Sequence, residues 1–363
     1  MTRPRHLWLK AHRWIALTLG GLLLMLGATG AVLVAAQPLD RWWHPQWFRA
    51  SPAPSDDTAP TELEPVRLRL VREFGTSAGF TFRPPREAGE TLQVRVQGPW
   101  RGTLYLNPYT GQEQGRRDET QGFLNVLFKL HSSLWMGADG KAILAWAALA
   151  YMLMLVSGLV LWWPRRWPPA WRVELRRGTV RALFDLHRSA GALLGILIAV
   201  SVASGAYMAW RPLGSFVTWL SGGHAIKTPA LPGHAVSARG VPTLDMLIAN
   251  ARGRFPDAQV GYIQVPAAAD RPVRVRLRLH DDPHPNGLTS VWLDPRDASV
   301  LAEYRWNQLD LGARAVAFVY PLHTGELGGV LLQGLVAANG TALATLGGTG
   351  LWLWWRRRRA RKA

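Results

Sequence analysis

The sequence contains no cysteine among its 363 residues. This absence excludes disulfide bonds, thiolate-bound iron–sulfur clusters and the Cys-x-x-Cys-His motif through which haem is attached covalently. The sequence also shows no convincing catalytic triad, glycine-rich nucleotide loop or paired-carboxylate signal. Any redox cofactor would therefore be held by His, Met or Tyr side chains or by non-covalent contacts.

Charged residues are missing from four long apolar stretches, at 14–36, 142–163, 189–210 and 327–355. None of them contains Asp, Glu, Lys or Arg, and each exceeds the roughly 20 residues that a helix needs to cross about 30 Å of hydrocarbon. The mean hydropathy of the whole chain is near zero because two long polar segments separate these stretches. The sequence therefore predicts a membrane α-helical protein with four transmembrane helices.

Acidic residues are also scarce, with 24 Asp and Glu against 42 Lys and Arg and a formal net charge of +18. Segments 1–13, 164–188 and 356–363 carry net charges of +4, +5 and +6, which is 15 of that total. Positive charge accumulates on the cytoplasmic side of membrane proteins, so we expect these segments in the cytoplasm and the long polar segments outside. Because the basic residues lie at the ends of the spans, we do not expect nucleic-acid binding.

The first apolar stretch has one other interpretation, a signal peptide cleaved before Gln37. The chain begins with basic residues, and Ala35-Ala36 resembles a cleavage site. However, the charge-free run of 23 residues is longer than an ordinary signal core, and the third stretch repeats its spacing. We therefore expect an uncleaved helix.

Four histidines stand at the starts of the apolar stretches, in two pairs with matching spacings. His12 and His187 each lie 18 residues before a glycine, whereas His131 and His323 each lie 27 residues before another. Ser or Thr precedes every one of these glycines, in Thr29-Gly30, Ser204-Gly205, Ser157-Gly158 and Thr349-Gly350. Matching spacings of this kind predict an internal duplication with the histidines kept in register.

The predicted topology places His12 and His187 on the cytoplasmic side and His131 and His323 on the outer side. A haem with two axial imidazoles needs two helices that present histidines at one depth, one on each face of the ring. A tetrahedral zinc ion would instead need four ligands at one depth. We therefore predict two non-covalently bound b-type haems, one for each pair. The alternative is a structural role at the membrane interface, because a duplication would copy structural histidines too.

The two long polar segments show matching strand and turn signals. Residues 91–97 and 273–279 alternate between apolar and polar types, and each run precedes a second short strand, at 102–106 or 290–293. Both second strands lead into an Asn-Pro or Asp-Pro turn, at 106–111 and 293–298. Residues 244–255 have helical spacing with Thr243 as the cap and Pro256 as the stop, whereas 64–74 fits either a helix or a strand. We therefore predict one α+β domain in each segment, the first after a flexible lead-in at 51–60.

The predicted organisation follows from these assignments. Segments 1–13, 164–188 and 356–363 form the cytoplasmic N-terminus, a basic loop and a basic tail. The first and third transmembrane helices span 14–36 and 189–210, and the outer domains span 37–128 and 211–320. Segments 129–163 and 321–355 each combine an outer histidine segment with the second or the fourth helix.

These features together carry a family resemblance that covers nearly the whole chain. The four histidines occur in Leu9-Lys-Ala-His-Arg-Trp, Lys129-Leu-His-Ser-Ser, Asp185-Leu-His-Arg-Ser-Ala-Gly and Pro321-Leu-His-Thr-Gly. With four spans, two α+β domains and strand-Asn/Asp-Pro turns, the chain resembles the PepSY-associated transmembrane proteins. That family includes ferric-siderophore reductases of the FoxB and PiuB type. One departure is the first domain, since His12 and His131 lie 119 residues apart whereas His187 and His323 lie 136 apart.

The resemblance implies a dihaem protein of the bacterial inner membrane with two periplasmic PepSY-like domains. It implies haem b bound by His12 with His187 and by His131 with His323. Electrons from a cytoplasmic or quinol donor would reduce a periplasmic Fe(III)-siderophore and release Fe(II). Two other functions stay open: a membrane-anchored binding or regulatory protein without redox chemistry, and a haem subunit that serves a different acceptor.

Several further residues are weaker candidates. His280 and His284 lie in an outer loop with two aspartates and are candidates for substrate contact, with a solvated turn as the alternative. His44 lies among tryptophans, which favours an interfacial aromatic belt over substrate contact. Trp146 and Tyr151 lie within the second span and are candidates for electron relay or haem packing. We expect Asn339 in the fourth span to hydrogen-bond to a neighbouring helix.

Overall fold

The computed structural model describes residues 3–51, 59–164, 171–220, 222–223, 227–233, 240–282, 284 and 286–360. The chain divides into two compact units. A helical unit comprises 1–36, 126–217 and 319–363, and a sheet unit comprises 37–125 and 218–318. Most of the lead-in predicted at 51–60 lies outside the described residues.

Helices occur in both units. In chain order they are α1 (Arg3–Val34), α2 (Ala36–Trp43), α3 (Pro45–Phe48), α4 (Leu63–Phe74), α5 (Phe123–Ser133), α6 (Gly137–Trp162), α7 (Thr179–Ala209), α8 (Arg211–Leu220), α9 (Leu244–Arg254), α10 (Leu311–Thr324) and α11 (Gly329–Arg359). Among the described residues, α1, α6, α7 and α11 are long and apolar enough to cross a membrane. The prediction of four such helices is confirmed.

All four helices extend beyond the charge-free stretches, and helix α6 begins at Gly137 instead of residue 142. Helix α1 begins at Arg3 instead of residue 14, helix α7 begins at Thr179 instead of residue 189, and helix α11 continues to Arg359. Residues of the predicted N-terminus, basic loop and basic tail therefore continue these helices beyond the apolar stretches. The helices can extend in this way because water solvates the charged side chains at their ends. Proline is also tolerated in a first turn, as at Pro4.

The helical unit is a four-helix arrangement in which α1 packs against α6 and α11, and α7 packs against the same two helices. Its centre contains one buried side chain from each helix, namely Leu23, Tyr151, Ile198 and Leu343. Asn339 on α11 donates to Ser201 Oγ on α7 at 2.7 Å, which confirms the expected interhelical hydrogen bond.

In the described part of the chain, the sheet unit contains one eight-stranded antiparallel sheet. The strands are β1 (Gly79–Arg83), β2 (Leu92–Gln97), β3 (Gly102–Leu106), β4 (Glu113–Asp118), β5 (Gln259–Val265), β6 (Val273–Arg278), β7 (Thr289–Leu293) and β8 (Val300–Tyr304). Their order across the sheet is β4-β3-β2-β1-β5-β6-β7-β8. The predicted strands at β2, β3, β6 and β7 are confirmed, and the other four were not predicted.

The expectation of two separate α+β domains was wrong, because β1 pairs with β5. The antiparallel register runs from Phe80 opposite Val265 to Phe82 opposite Ile263. One hydrophobic core then contains buried residues from both halves of the sheet. An unpaired edge strand exposes a row of backbone donors and acceptors, and this pairing satisfies the inner edge of each half.

Helices α4 and α9 cover one face of the sheet and cap each other. The Asp245 carboxylate accepts hydrogen bonds from the Leu63 and Glu64 backbone N–H groups, each at 2.9 Å. Glu64 in turn accepts from the Leu244 backbone N–H at 2.9 Å. Thr243 Oγ1 accepts from Met246 N at 3.2 Å, as its predicted capping role requires. Residues 64–74 are therefore helical, because carboxylates from both halves satisfy the free N–H groups at these helix starts.

Candidate functional site

The structure brings His131 and His323 together. These residues lie near the ends of α5 and α10, just before the membrane helices α6 and α11. Their ring centroids are 6.3 Å apart, and the ring planes are inclined by 45°. Metal–imidazole bonds of about 2.0 Å on either side of one ion would place two ring centres about 6 Å apart. This separation therefore fits two imidazoles that share a metal ion.

Each ring of this pair, the predicted outer pair, lies with its Nδ1 within hydrogen-bond distance of a hydroxyl group on another helix. His131 Nδ1 lies 3.0 Å from Thr29 Oγ1, and His323 Nδ1 lies 3.0 Å from Ser204 Oγ. The Thr29 hydroxyl donates to a carbonyl of its own helix at 2.7 Å, and the Ser204 hydroxyl does so at 3.0 Å. Because both hydroxyl protons are used there, the hydroxyl oxygens accept from the imidazoles. A neutral imidazole that donates from Nδ1 keeps the lone pair of Nε2 for a metal.

His12 and His187, the predicted inner pair, are anchored in the same way. His12 Nδ1 lies 3.0 Å from Ser157 Oγ and 3.1 Å from Met154 O, and His187 Nδ1 lies 3.1 Å from Thr349 Oγ1. The Ser157 and Thr349 hydroxyls each donate to a carbonyl of their own helix at 2.7 Å. The inner pair therefore also presents Nε2 lone pairs.

Each ring lies against a glycine that directly follows its anchoring hydroxyl residue. A Cβ atom added to these glycines would lie 2.9 to 3.4 Å from the Cε1 of the facing imidazole. The facing pairs are Gly30 with His131, Gly158 with His12, Gly205 with His323 and Gly350 with His187. The distance at Gly30 is too short for a methyl group unless the ring moves, and the distance at Gly205 is at the limit. We call each Ser/Thr-Gly pair with its histidine a hydroxyl–glycine notch.

Sequence reasoning found the four Ser/Thr-Gly pairs through their spacings but did not assign them to histidine contacts. The glycine 18 residues after His12 faces His131, and the glycine 27 residues after His131 faces His12. The matching spacings therefore already contained the signal for these histidine–glycine contacts. Assigning it required the packing of one helix on another, which spacing along the chain does not specify.

Comparison with known proteins identifies the family. The family model of the PepSY-associated TM region matches residues 9–357. The chain belongs to the PepSY-associated TM family. A similar protein is an uncharacterized protein of Pseudomonas aeruginosa, which is 28% identical over 271 residues. Those residues are 65% of this chain and 64% of the relative, so the match spans less than two thirds of that protein's length.

Within this PepSY-associated chain, the histidine pairs are the best candidates for holding a metal-containing cofactor. The described residues contain no group of three or more His, Cys, Asp or Glu side chains arranged for a metal ion. A pair of imidazoles with free Nε2 atoms instead suits an ion whose other ligands come from a macrocycle, as in haem. The four notches thus fit the cofactor that the sequence predicted, and ligation itself stays a prediction.

Asp282 and His284 are buried, which corrects the expected solvated turn at these two positions, whereas His280 is exposed. Asp282 accepts from the backbone N–H of His284 at 3.0 Å, and also from that of Leu288. His284 Nδ1 accepts from Asn286 N at 2.8 Å. Burial and then neighbouring arginines lower the pKa of His284 to about 4. These groups stabilise the turn and have little capacity left for an iron ligand.

The remaining candidates have structural contacts. His44 stacks on Trp47 with centroids 4.2 Å apart, and Trp47 stacks on Tyr105 at 5.4 Å, all within the sheet unit. Trp146 is 63% exposed, and its ring centroid lies 6.2 Å from that of Trp210. Tyr151 belongs to the buried centre of the helical unit.

Proposed function

We propose that this PepSY-associated protein is a dihaem b-type electron-transfer protein of the bacterial inner membrane that reduces periplasmic Fe(III)-siderophores. His12 and His187 would hold the inner haem, and His131 and His323 the outer one. Haem b would supply reversible one-electron chemistry between ferric and ferrous iron. The observation that carries the proposal is the hydroxyl–glycine notch, which occurs four times and leaves Nε2 free each time.

The protein's own residues preorganise these sites. The hydroxyl acceptor fixes the imidazole tautomer and the ring orientation, and such outer contacts raise metal affinity. The glycine lets the Cε1 edge of the ring approach the helix backbone closely. Both contacts join helices of the same half of the chain, whereas each histidine pair joins the two halves. We infer that this arrangement, and the four strands with one covering helix, α4 or α9, in each half of the sheet, result from an internal duplication.

The proposed reaction consumes one electron for each Fe(III) complex and leaves Fe(II). Oxygen chelators bind the hard ferric ion more strongly than the ferrous ion, so the transfer loosens the complex. A quinol donor would release two electrons and two protons and so reduce two ferric complexes; a cytoplasmic donor is the other source. No side chain is needed to transfer a proton to the siderophore. This requirement agrees with a sequence that lacks a catalytic triad.

The proposed orientation has both termini in the cytoplasm and the sheet unit in the periplasm. Fifteen of the 18 net positive charges lie in three segments at one side of the four spans. The retention of positive charge in the cytoplasm supports this orientation.

The test is the absorption spectrum of purified full-length protein. We expect a reduced b-type spectrum with two haems per chain, and loss of one haem in His131→Ala and in His323→Ala. His280→Ala is the matched control, because His280 is an exposed histidine of the sheet unit. A colourless preparation from haem-replete cells would contradict the proposal and favour the membrane-anchored binding protein. Anaerobic mixing of the reduced protein with ferric siderophores, followed through haem reoxidation, separates a siderophore reductase from a haem subunit with another acceptor.

A further inference from the structure

The face of the sheet opposite α4 and α9 is rich in arginine. Alternate residues of β6 point to the core, namely Val273, Val275 and Leu277, and the intervening residues are arginines on the other face. Neighbouring strands add arginines to that face through the antiparallel register. We define the arginine face as Arg83, Arg86, Arg95, Arg274, Arg276 and Arg278.

This positive charge is compensated only in part, because Asp282 is the nearby carboxylate that interacts electrostatically with Arg276. Within the described part of the chain, no ion pair involves Arg83, Arg95 or any of the three β6 arginines. The nearby carboxylate of Asp282 is occupied by the backbone N–H groups of the buried turn. Other arginines of the sheet unit do have carboxylate partners, as Arg117 has with Asp40 at 2.6 Å. The arginine face therefore carries a charge that a partner from outside the chain would balance.

The side-chain oxygen of Asn286, which is neutral, lies at the position that an anionic ligand oxygen would take between two of these arginines. Asn286 Oδ1 accepts from Arg83 Nη2 at 2.9 Å and from Arg86 Nη2. Arg276 Nε donates to the Gly287 carbonyl at 2.5 Å. Hydrogen bonds from guanidinium to an ionised oxygen are roughly twice as strong as those between neutral groups. A carboxylate or catecholate oxygen would therefore compete well for the same donors.

A second, independent feature of this face is an unsatisfied donor at Trp292. Trp292 lies directly opposite Arg274 in the register, and the Arg274 guanidinium lies 5.0 Å from the centre of its ring. Trp292 is only 9% exposed, and its Nε1 has no hydrogen-bond partner among the described residues. A buried N–H without an acceptor is costly, so an acceptor supplied by a ligand would stabilise this position.

We propose that the arginine face binds ferric chelates of net negative charge, such as catecholate or carboxylate complexes, in preference to uncharged hydroxamate complexes. Three doubly ionised catecholates around Fe(III) leave three negative charges, whereas three hydroxamates leave none. Complementary charge selects partners and accelerates their association. The inference rests on the proposed reductase function and assigns the class of its substrate.

Gallium(III) chelates test this site without reduction, because gallium(III) has the charge of iron(III) but is not reduced to a divalent ion under these conditions. Full-length protein in nanodiscs of zwitterionic lipid is titrated with gallium tris-catecholate and gallium tris-hydroxamate. We expect the anionic chelate to bind more tightly, and Arg83→Gln/Arg278→Gln to weaken it by at least about tenfold. Binding of the uncharged chelate should not change.

The matched control is Arg69→Gln/Arg72→Gln on α4, which removes the same charge on the opposite side of the sheet. Equal weakening in both double variants, or equal affinity for both chelates, would overturn the proposal. Binding of these arginines to phosphatidylglycerol vesicles, with no binding of the chelate, would also overturn the proposal. Circular dichroism and the elution profile establish that each variant is folded. The binding result does not depend on haem. Chelate binding without ferric reduction would refute the reductase function and keep the anion site. Ferric reduction without a preference for the anionic chelate would support the reductase function and refute the anion site.

Discussion

At the scale of single residues, a hydroxyl proton decides which imidazole nitrogen is available. The Thr29 hydroxyl donates to Met25 O at 2.7 Å, so its oxygen accepts from His131. The same arrangement recurs at the other three histidines. A serine or threonine in a membrane helix usually bonds only to its own backbone, and here that bond also orients the oxygen towards the histidine.

Thr29→Ala removes the acceptor of His131 Nδ1 without touching either outer histidine. We expect this variant to retain less outer haem, since loss of such a supporting contact lowers metal affinity by roughly 10- to 100-fold. The measurement is the haem-to-protein ratio, followed as free haem is removed by apomyoglobin.

Thr18→Ala is the matched control on the same helix. Thr18 donates to Trp14 O and Ile15 O, with no hydrogen bond to histidine among the described residues. Its haem content should equal that of the unaltered protein. Identical haem retention in the two variants would refute the supporting role of Thr29.

Glu64 makes the stability of the sheet unit depend on pH. The hydrogen bond from Arg67 is the largest factor that lowers the pKa of Glu64, and the Leu244 backbone N–H adds to it. A carboxylate with a lowered pKa stabilises the fold above its unfolded pKa, near the ordinary value of 4.5, and this contribution is lost as pH falls through the folded pKa. We therefore expect Glu64→Gln to be less stable at neutral pH, by about 1 kcal/mol.

The difference between Glu64→Gln and the unaltered protein should disappear in acid, below the folded pKa of Glu64. Thermal unfolding in detergent at a series of pH values measures it. Glu62→Gln is the control, because Glu62 makes no side-chain hydrogen bond to the start of α4. A difference that persists unchanged into acid would show that the Glu64 charge does not contribute.

At the scale of elements, the sequence predicted what alternation and apolar length can reveal. Strands β2 and β6 alternate cleanly between core and open face, so their pattern was visible. Strand β4 consists entirely of polar residues and glycine and has only one buried residue, so no hydrophobic period marks it. Helix α4 was ambiguous because its start is capped by Asp245, a residue from the other half of the chain. Such a partner is invisible to a local pattern.

Packing between α1 and α11 depends on glycines at their contact. A Cβ on Gly27 would lie 2.5 Å from Gly340 O, whereas one on Gly21 would meet nothing within 4 Å. We expect Gly27→Ala to destabilise the helical unit by roughly 1–3 kcal/mol through overpacking, and Gly21→Ala to be neutral. The midpoint of thermal unfolding in detergent, with size-exclusion profiles, checks both variants. A Gly27→Ala protein as stable as Gly21→Ala would contradict this close contact.

At the scale of the whole molecule, features of each half meet only in the complete chain. The central strand pairing joins Thr81 to Gln264, and the outer histidine pair joins His131 to His323. Spacing along the chain identified the matching parts but not their contacts, since a repeat can form two separate domains or one shared sheet. The pairing of β1 with β5 shows that the two halves form one shared sheet. The histidine pairs were predicted across the halves because topology placed equivalent residues on the same side, and their role as haem ligands stays a prediction.

The orientation in the membrane is the whole-molecule prediction that the function depends on, because a periplasmic acceptor requires a periplasmic sheet unit. The chain has no cysteine, so single substitutions give an unambiguous label. Gln97→Cys lies at an exposed position in the sheet unit, and Ala360→Cys lies at an exposed position after α11. With the outer membrane permeabilised, we expect a membrane-impermeant maleimide to label Gln97→Cys, and to label Ala360→Cys only after the inner membrane is opened. The unaltered protein should stay unlabelled throughout. The opposite pattern would place the arginine-rich helix ends outside and the arginine face in the cytoplasm, where a periplasmic chelate cannot reach it.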